Sequence, residues 1–187
     1  MAISLLCLVA TVSPDVFSLF VFDRSAIEHG ELWRIFSCHF AHFSPLHLIY
    51  NLLVFSIAAA IIEINSHRKL IWLYIWLSIV ISCSLFIIKP DMVYYAGLSG
   101  VSCGILYYCA LMGLQSDERW QNISLIIIVI IPAKLLFEVI SDGSALPYLG
   151  ASFVPMHSSH IIGCSVAVLF YLYESQKRRK INGVRLD

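Results

Sequence analysis

Three consecutive segments decide the fold class: PLHLIYNLLVFSIAAAIIEI (residues 45–64), NSHRK (65–69) and LIWLYIWLSIVISCSLFII (70–88). Each apolar run is close to the roughly 20 residues that a helix needs to cross the ~30 Å hydrocarbon core of a bilayer. The break between them is polar, basic and only long enough to turn the chain. Working outward, runs of similar character occupy residues 97–114, 122–140 and 155–173, and a weaker one occupies 2–22. Charged residues and turn formers separate them, at Lys89-Pro90-Asp91, at Gln115 to Arg119 and at Ser141 to Ser144. The pattern predicts an all-α membrane protein: one domain over residues 1–187 with six transmembrane helices, a long first loop at 23–44 and a basic tail at 174–187.

Composition agrees. Hydrophobic residues make up 59% of the chain and charged residues 13%, against roughly 25% charge in ordinary soluble domains. Lys+Arg and Asp+Glu stand at 12 each, so no basic field points to nucleic acid. The six cysteines (Cys7, Cys38, Cys83, Cys103, Cys109, Cys164) show no C-x-x-C spacing and fall mostly inside apolar runs, which reads as packing and not as a disulfide framework. The first run lacks a basic leader and is interrupted by Ser13-Pro14-Asp15, so it is expected to stay as a first helix and not to be removed as a signal peptide.

Basic loops tend to remain cytoplasmic. With six alternating spans both termini share one side, and with them lie Arg68, Lys69, Arg119, Lys177, Arg178, Arg179, Lys180 and Arg185; only Arg24, Arg34 and Lys89 lie opposite. Cytoplasmic termini follow. The second, fourth and sixth runs then all begin at the non-cytoplasmic face.

Polar groups inside membrane helices are costly and mark functional positions by default. Those three runs carry them at their beginnings: His47 and Asn51, then Gly97, Ser99 and Gly100, then His157 and His160. A serine at a helix N-terminus sits among unpaired N–H groups at the positive end of the dipole, which suits an acyl-transfer nucleophile. Gly97, Gly100, Gly104 and Gly163 clear space for close helix approach, Gly100 and Gly104 in G-x-x-x-G spacing. Val101 breaks a G-x-S-x-G elbow, so an α/β-hydrolase is excluded. An imidazole is the natural base near neutral pH, with His160 favoured and His157, one turn nearer the surface, its competitor. No acid lies near the reactive ends of these three runs, so a Ser–His dyad is expected. His47 and Asn51 share one helix face at i, i+4 and are expected, with the Ser99 backbone N–H, to stabilise an oxyanion.

Taken together, Trp33-Arg34, His47-x-x-x-Asn51, Gly97-x-Ser99-Gly100 and His160-x-x-Gly163 resemble the rhomboid family of intramembrane proteases, over about residues 22–173. The resemblance implies a six-helix bundle that cleaves transmembrane substrates with Ser99 and His160. It departs from the family where an aromatic residue usually follows the serine by four positions and this chain has Cys103. Ser159 and Ala167 replace other small residues near the histidine. Phe22-Asp23-Arg24 and Ala133 to Glu138 look like a rhombosortase, which implies a bacterial inner-membrane enzyme with its site toward the periplasm. Secreted proteins with a C-terminal Gly-Gly motif, a transmembrane segment and a basic tail would be its substrates. The alternatives are a general rhomboid protease acting on other single-span proteins and a non-catalytic adaptor of the same fold.

Lys134 and Glu138, at i, i+4, either pair within the membrane or snorkel separately to the nearer interface. His39 and His42 lack a third ligand at metal spacing and read as loop hydrogen-bonding groups, so neither a metal nor a cofactor is expected. Trp33, Tyr94 and Tyr95 read as interfacial anchors, and membrane lipid is the expected surrounding.

Overall fold

The computed structural model describes residues 2–141 and 156–183. Asp142 to Ser144 of the last expected break, the start of the final run at Pro155, and Arg185 lie outside the described residues.

The chain is mostly helical. Helices α1 (Ala2–Val12) and α2 (Pro14–Phe20) meet at an angle of 113°, so the first helix expected over residues 2–22 forms as two helices with a sharp bend between them. The cause is local: Ser13 takes an extended conformation, its hydroxyl caps the Val16 N–H, and Pro14 restarts a helix at its first position. A strand pair follows, β1 (Phe22–Asp23) against β2 (Tyr94–Tyr95), antiparallel, with Phe22 opposite Tyr95. Two short helices, α3 (Arg24–Glu28) and α4 (Arg34–Ser37), build the first loop.

Helix α5 (Pro45–Ile88) carries both of the deciding apolar runs. Its backbone is extended at Ser66 (φ −171°, ψ 105°), within the expected break, and two stretches of membrane length join there. The Ser44 hydroxyl caps its start, and Arg24 closes its other end by donating to the carbonyls of Phe86, Lys89 and Met92 at 2.8, 2.8 and 3.0 Å. Helices α6 (Ser99–Gly113), α7 (Glu118–Ser141) and α8 (His157–Gly183) complete the bundle.

Pairs of contacts fix helix directions. Asn51 meets Ser102 and Ala58 meets Cys109, so the first half of α5 runs parallel to α6. Gly100 abuts Ser159 and Gly104 abuts Gly163, so α6 runs parallel to α8. The second half of α5 runs the other way, because Leu77 packs on Gly104 while Lys69 pairs with Glu174 at 3.3 Å at the far end. Helix α7 is also antiparallel, with Ser124 against Gly113 and Glu138 against His160. The starts of α5, α6 and α8 therefore gather at one end of the bundle.

The core is built around Phe22, Leu73, Leu77, Ile81, Leu98, Ile105 and Tyr108, all fully buried. Outside, Ile57, Trp72, Trp76, Val129, Ile130 and Leu136 are more than half exposed. An apolar exterior of this extent belongs in lipid. By length and composition alone α5 and α7 are able to cross a membrane, and the bent α1–α2 pair makes a third candidate. Helix α6 has 15 residues, about 22 Å of rise. Helix α8 opens on His157-Ser158-Ser159-His160 and ends in a charged segment, which dilutes its apolar middle.

Candidate active site

The site is assembled from the gathered ends of α5, α6 and α8, closed from the side by the first loop. Gly97 takes φ +136°, a conformation that disfavours side chains, in the turn leading to α6. A Cβ placed there would lie 2.7 Å from Cε1 of His47, so the imidazole rests directly on the Gly97 backbone. Ser99 is the first residue of α6 and is partly exposed. No side chain caps this helix start among the described residues, and the early N–H groups keep their capacity to receive an anion.

The first loop holds this turn. His39 is fully buried, with Nε2 at 2.9 Å from the Ser78 carbonyl and 2.9 Å from the Ser82 hydroxyl, and Nδ1 at 3.3 Å from the Gly97 carbonyl. His42 accepts the Leu98 N–H on Nε2 at 3.3 Å. That fixes the proton on its Nδ1, which donates to the Phe40 carbonyl at 3.2 Å. Burial lowers His39 to about 4; burial, and then the nearby His47, lower His42 to about 3. Both are neutral near pH 7. Loop hydrogen bonding was the expected role, and the bonds reach the residues immediately before Ser99. Arg34 anchors the same loop by donating to the carbonyls of Ser18 and Val21 at 2.7 and 2.9 Å and to Glu31 at 2.7 Å. The indole of Trp33 donates to the Leu19 carbonyl at 3.2 Å.

Asn51 is buried, and its amide Nδ2 has no hydrogen-bond partner among the described residues. Its backbone carbonyl accepts the Ser102 hydroxyl at 3.4 Å, one turn below Ser99. An unpaired buried amide is costly in an apolar protein. It is available to a ligand oxygen.

Helix α8 approaches α6 through backbone. A Cβ on Gly100 would lie 2.9 Å from the Ser159 carbonyl oxygen, and a Cβ on Gly163 would run into the Gly100 carbonyl. The neighbours of Ser99 and His160 are thus in direct contact. No hydrogen bond joins Ser99 to His160 among the described residues, a looseness common before substrate binds. His47 and His160 are close enough to repel each other when charged. One turn further in, Cys103 and Cys164 approach to 3.5 Å between sulfurs.

The sequence reading missed one group. Glu138 on α7 is 1% exposed and pairs with Lys134 at 2.8 and 2.9 Å, so the snorkelling alternative fails for it. Its Oε2 also faces Nδ1 of His157 at 3.4 Å and Nδ1 of His160 at 3.9 Å. An acid therefore does lie beside the histidines, brought by the fifth apolar run. Spacing within that run reveals the lysine partner; only packing reveals the imidazoles. The three ligand-type groups Glu138, His157 and His160 lie within 4.8 Å of one another, and the Lys134 ammonium already occupies the cation position beside the carboxylate.

A family model described as Rhomboid domain matches residues 29–177, most of the chain and a range that includes His47, Asn51, Ser99, Glu138 and His160. Comparison with curated proteins found no match.

Proposed function

This chain belongs to the rhomboid family, whose members are intramembrane serine proteases, and from that premise we propose that it cleaves transmembrane proteins with Ser99 as nucleophile and His160 as general base. One observation carries the reading. Helices α6 and α8 run parallel in backbone contact at Gly100 and Ser159, the residues next to the proposed pair, and a nucleophile and base must be neighbours.

In this reading His160 takes the Ser99 hydroxyl proton as Oγ attacks the scissile carbonyl. Negative charge builds on the carbonyl oxygen near the start of α6, where the Ser99 N–H, the Asn51 amide and His47 stabilise it. His160 then gives its proton to the leaving amine. Water, deprotonated by the same imidazole, hydrolyses the acyl-enzyme. Gly97 lets the His47 ring lie against the turn, while Gly100, Gly104 and Gly163 draw the two helices together. No metal or cofactor enters these steps.

The architecture proposed with it is a single domain of six spans, the two halves of α5 crossing separately and α1–α2 forming a bent first span. In this reading the excess of lysine and arginine at the far end favours cytoplasmic termini, and the likeness to rhombosortases favours a site near the periplasmic face of a bacterial inner membrane. Likeness at Phe22 to Arg24 and at Ala133 to Glu138 favours a rhombosortase, cutting C-terminal Gly-Gly sorting segments of secreted proteins.

The test uses purified protein, a fluorophosphonate probe and a single-span reporter ending in a Gly-Gly segment and a basic tail. Wild type should label and cut. Ser99→Ala and His160→Ala should do neither while staying folded, and His157→Ala should lose less. Activity retained in both of the first two variants would end the protease assignment, and a folded wild type that never labels would favour a non-catalytic adaptor.

A further inference from the structure

Glu138 is the most deeply buried charged side chain among the described residues, at 1% exposure. Taking a carboxylate out of water costs several kcal/mol, which one ion pair repays only when its geometry is good. Here Lys134 spans both oxygens, at 2.8 and 2.9 Å. The lysine side chain is itself 31% exposed, so it serves less to fill the interior than to hold the carboxylate in one orientation. What that orientation presents is Oε2, turned toward Nδ1 of His160 at 3.9 Å and Nδ1 of His157 at 3.4 Å.

An imidazole acting as base through Nε2 must carry its proton on Nδ1, and that proton needs an acceptor. Neither Nδ1 has a hydrogen-bond partner among the described residues; each faces the Glu138 carboxylate. The distance to His160 exceeds hydrogen-bond reach by a fraction of an ångström, a gap that small side-chain rotations are enough to close. We infer that Glu138, held by Lys134, is a positioning residue for the general base: its carboxylate accepts the His160 Nδ1 proton, fixes the tautomer with Nε2 free, and stabilises the imidazolium formed as Ser99 attacks. The charged and titratable groups facing the Glu138–His160 pair are Lys134 on α7, His157 on α8, Cys103 on α6 and His47 on α5. The inference rests on the assignment of His160 as base and makes the reactive group a relay across three helices.

Rates of fluorophosphonate labelling of Ser99 in the full chain, followed from pH 5 to 9, test it. Glu138→Gln should slow labelling by at least about 10-fold at saturating probe and move the acid limb of the profile to lower pH, because the imidazolium has lost its counter-charge. Lys134→Met should move that limb the opposite way, by up to about one pH unit, because the carboxylate is no longer shared. Glu138→Asp, keeping the charge on a shorter arm, should restore part of the rate. A purely structural role would slow both variants without shifting the limb in opposite directions. Labelling of Glu138→Gln at the wild-type rate and with the wild-type limb overturns the inference. So does an unmoved limb in Lys134→Met, which decides the matter if Glu138→Gln does not fold. Ser99→Ala separates the two levels: if it labels like wild type, the protease reading itself has failed, whatever Glu138 does.

Discussion

His47 lies against the backbone of Gly97 so closely that a Cβ added to the glycine would meet Cε1 of the ring at 2.7 Å. The same glycine has φ +136°, so sterics and backbone conformation both demand its lack of a side chain. Gly97→Ala should therefore cost about 1–3 kcal/mol of stability and displace the His47 imidazole from the turn. Thermal unfolding in detergent and the rate of Ser99 labelling report the two effects separately. A variant with wild-type melting and labelling would show that the ring is free to move.

Helix approach at Gly163 is tighter still, since a Cβ there would run into the Gly100 carbonyl. Gly163→Ala must push α8 away from α6 at the level of the proposed catalytic pair. Overpacking of this kind costs about 1–3 kcal/mol, and labelling should fall by more than stability alone explains. Gly113 offers the control: a Cβ there meets only the Ser124 hydroxyl and its helix, far from the site. Gly113→Ala should destabilise without changing the labelling rate of the folded fraction. Equal rates in the two variants would show that helix spacing does not set reactivity.

Asn51 makes the sharpest separation between structure and chemistry. Its amide nitrogen is buried without a partner among the described residues, so removing it takes away no hydrogen bond from the resting fold. Asn51→Ala should leave the melting temperature near wild type or raise it, while lowering reporter turnover by about 10²–10³-fold, the usual loss for one oxyanion donor. Steady-state cleavage measures this, and the loss should fall on kcat. Unchanged turnover would remove Asn51 from the oxyanion site.

Much of this was readable in advance because a bilayer imposes a length on every helix that crosses it. The apolar runs and their breaks follow from that constraint, as does the gathering of His47, Ser99 and His160 at one end. The bend at Ser13 was legible only in part: Ser13-Pro14-Asp15 announces an interruption, but capping plus a proline at the first helical position restarts the chain in a direction that composition does not specify. Glu138 escaped for a different reason. Spacing at i, i+4 describes a residue's neighbours on its own helix, whereas its contact with His160 depends on how α7 leans on α8. His42 and Leu98 are separated by 56 positions, and no periodicity links a loop imidazole to the amide it accepts.

The first-loop histidines give the chain a pH dependence of its own. Burial holds His39 near 4 and His42 near 3, against about 6.5 in an unfolded chain. Above pH 6.5 both are neutral whether the protein is folded or not, and the hydrogen bonds of His42 to Leu98 and of His39 to Ser78 contribute in full. As pH falls below 6.5 the unfolded chain takes up protons that the folded site refuses. Stability therefore declines from pH 6.5 down to about 4, and for His42 on to about 3, with a slope of up to about 1.4 kcal/mol per pH unit for each histidine. Carboxylates begin to titrate in the lower part of this range, so the comparison that isolates the effect is His42→Gln. Its side-chain oxygen still accepts the Leu98 N–H but takes no proton. Melting temperatures measured from pH 8 to 4 should fall less steeply in this variant than in wild type. Parallel curves would mean that His42 is not held neutral by the fold, and that the turn before Ser99 is fastened by something else.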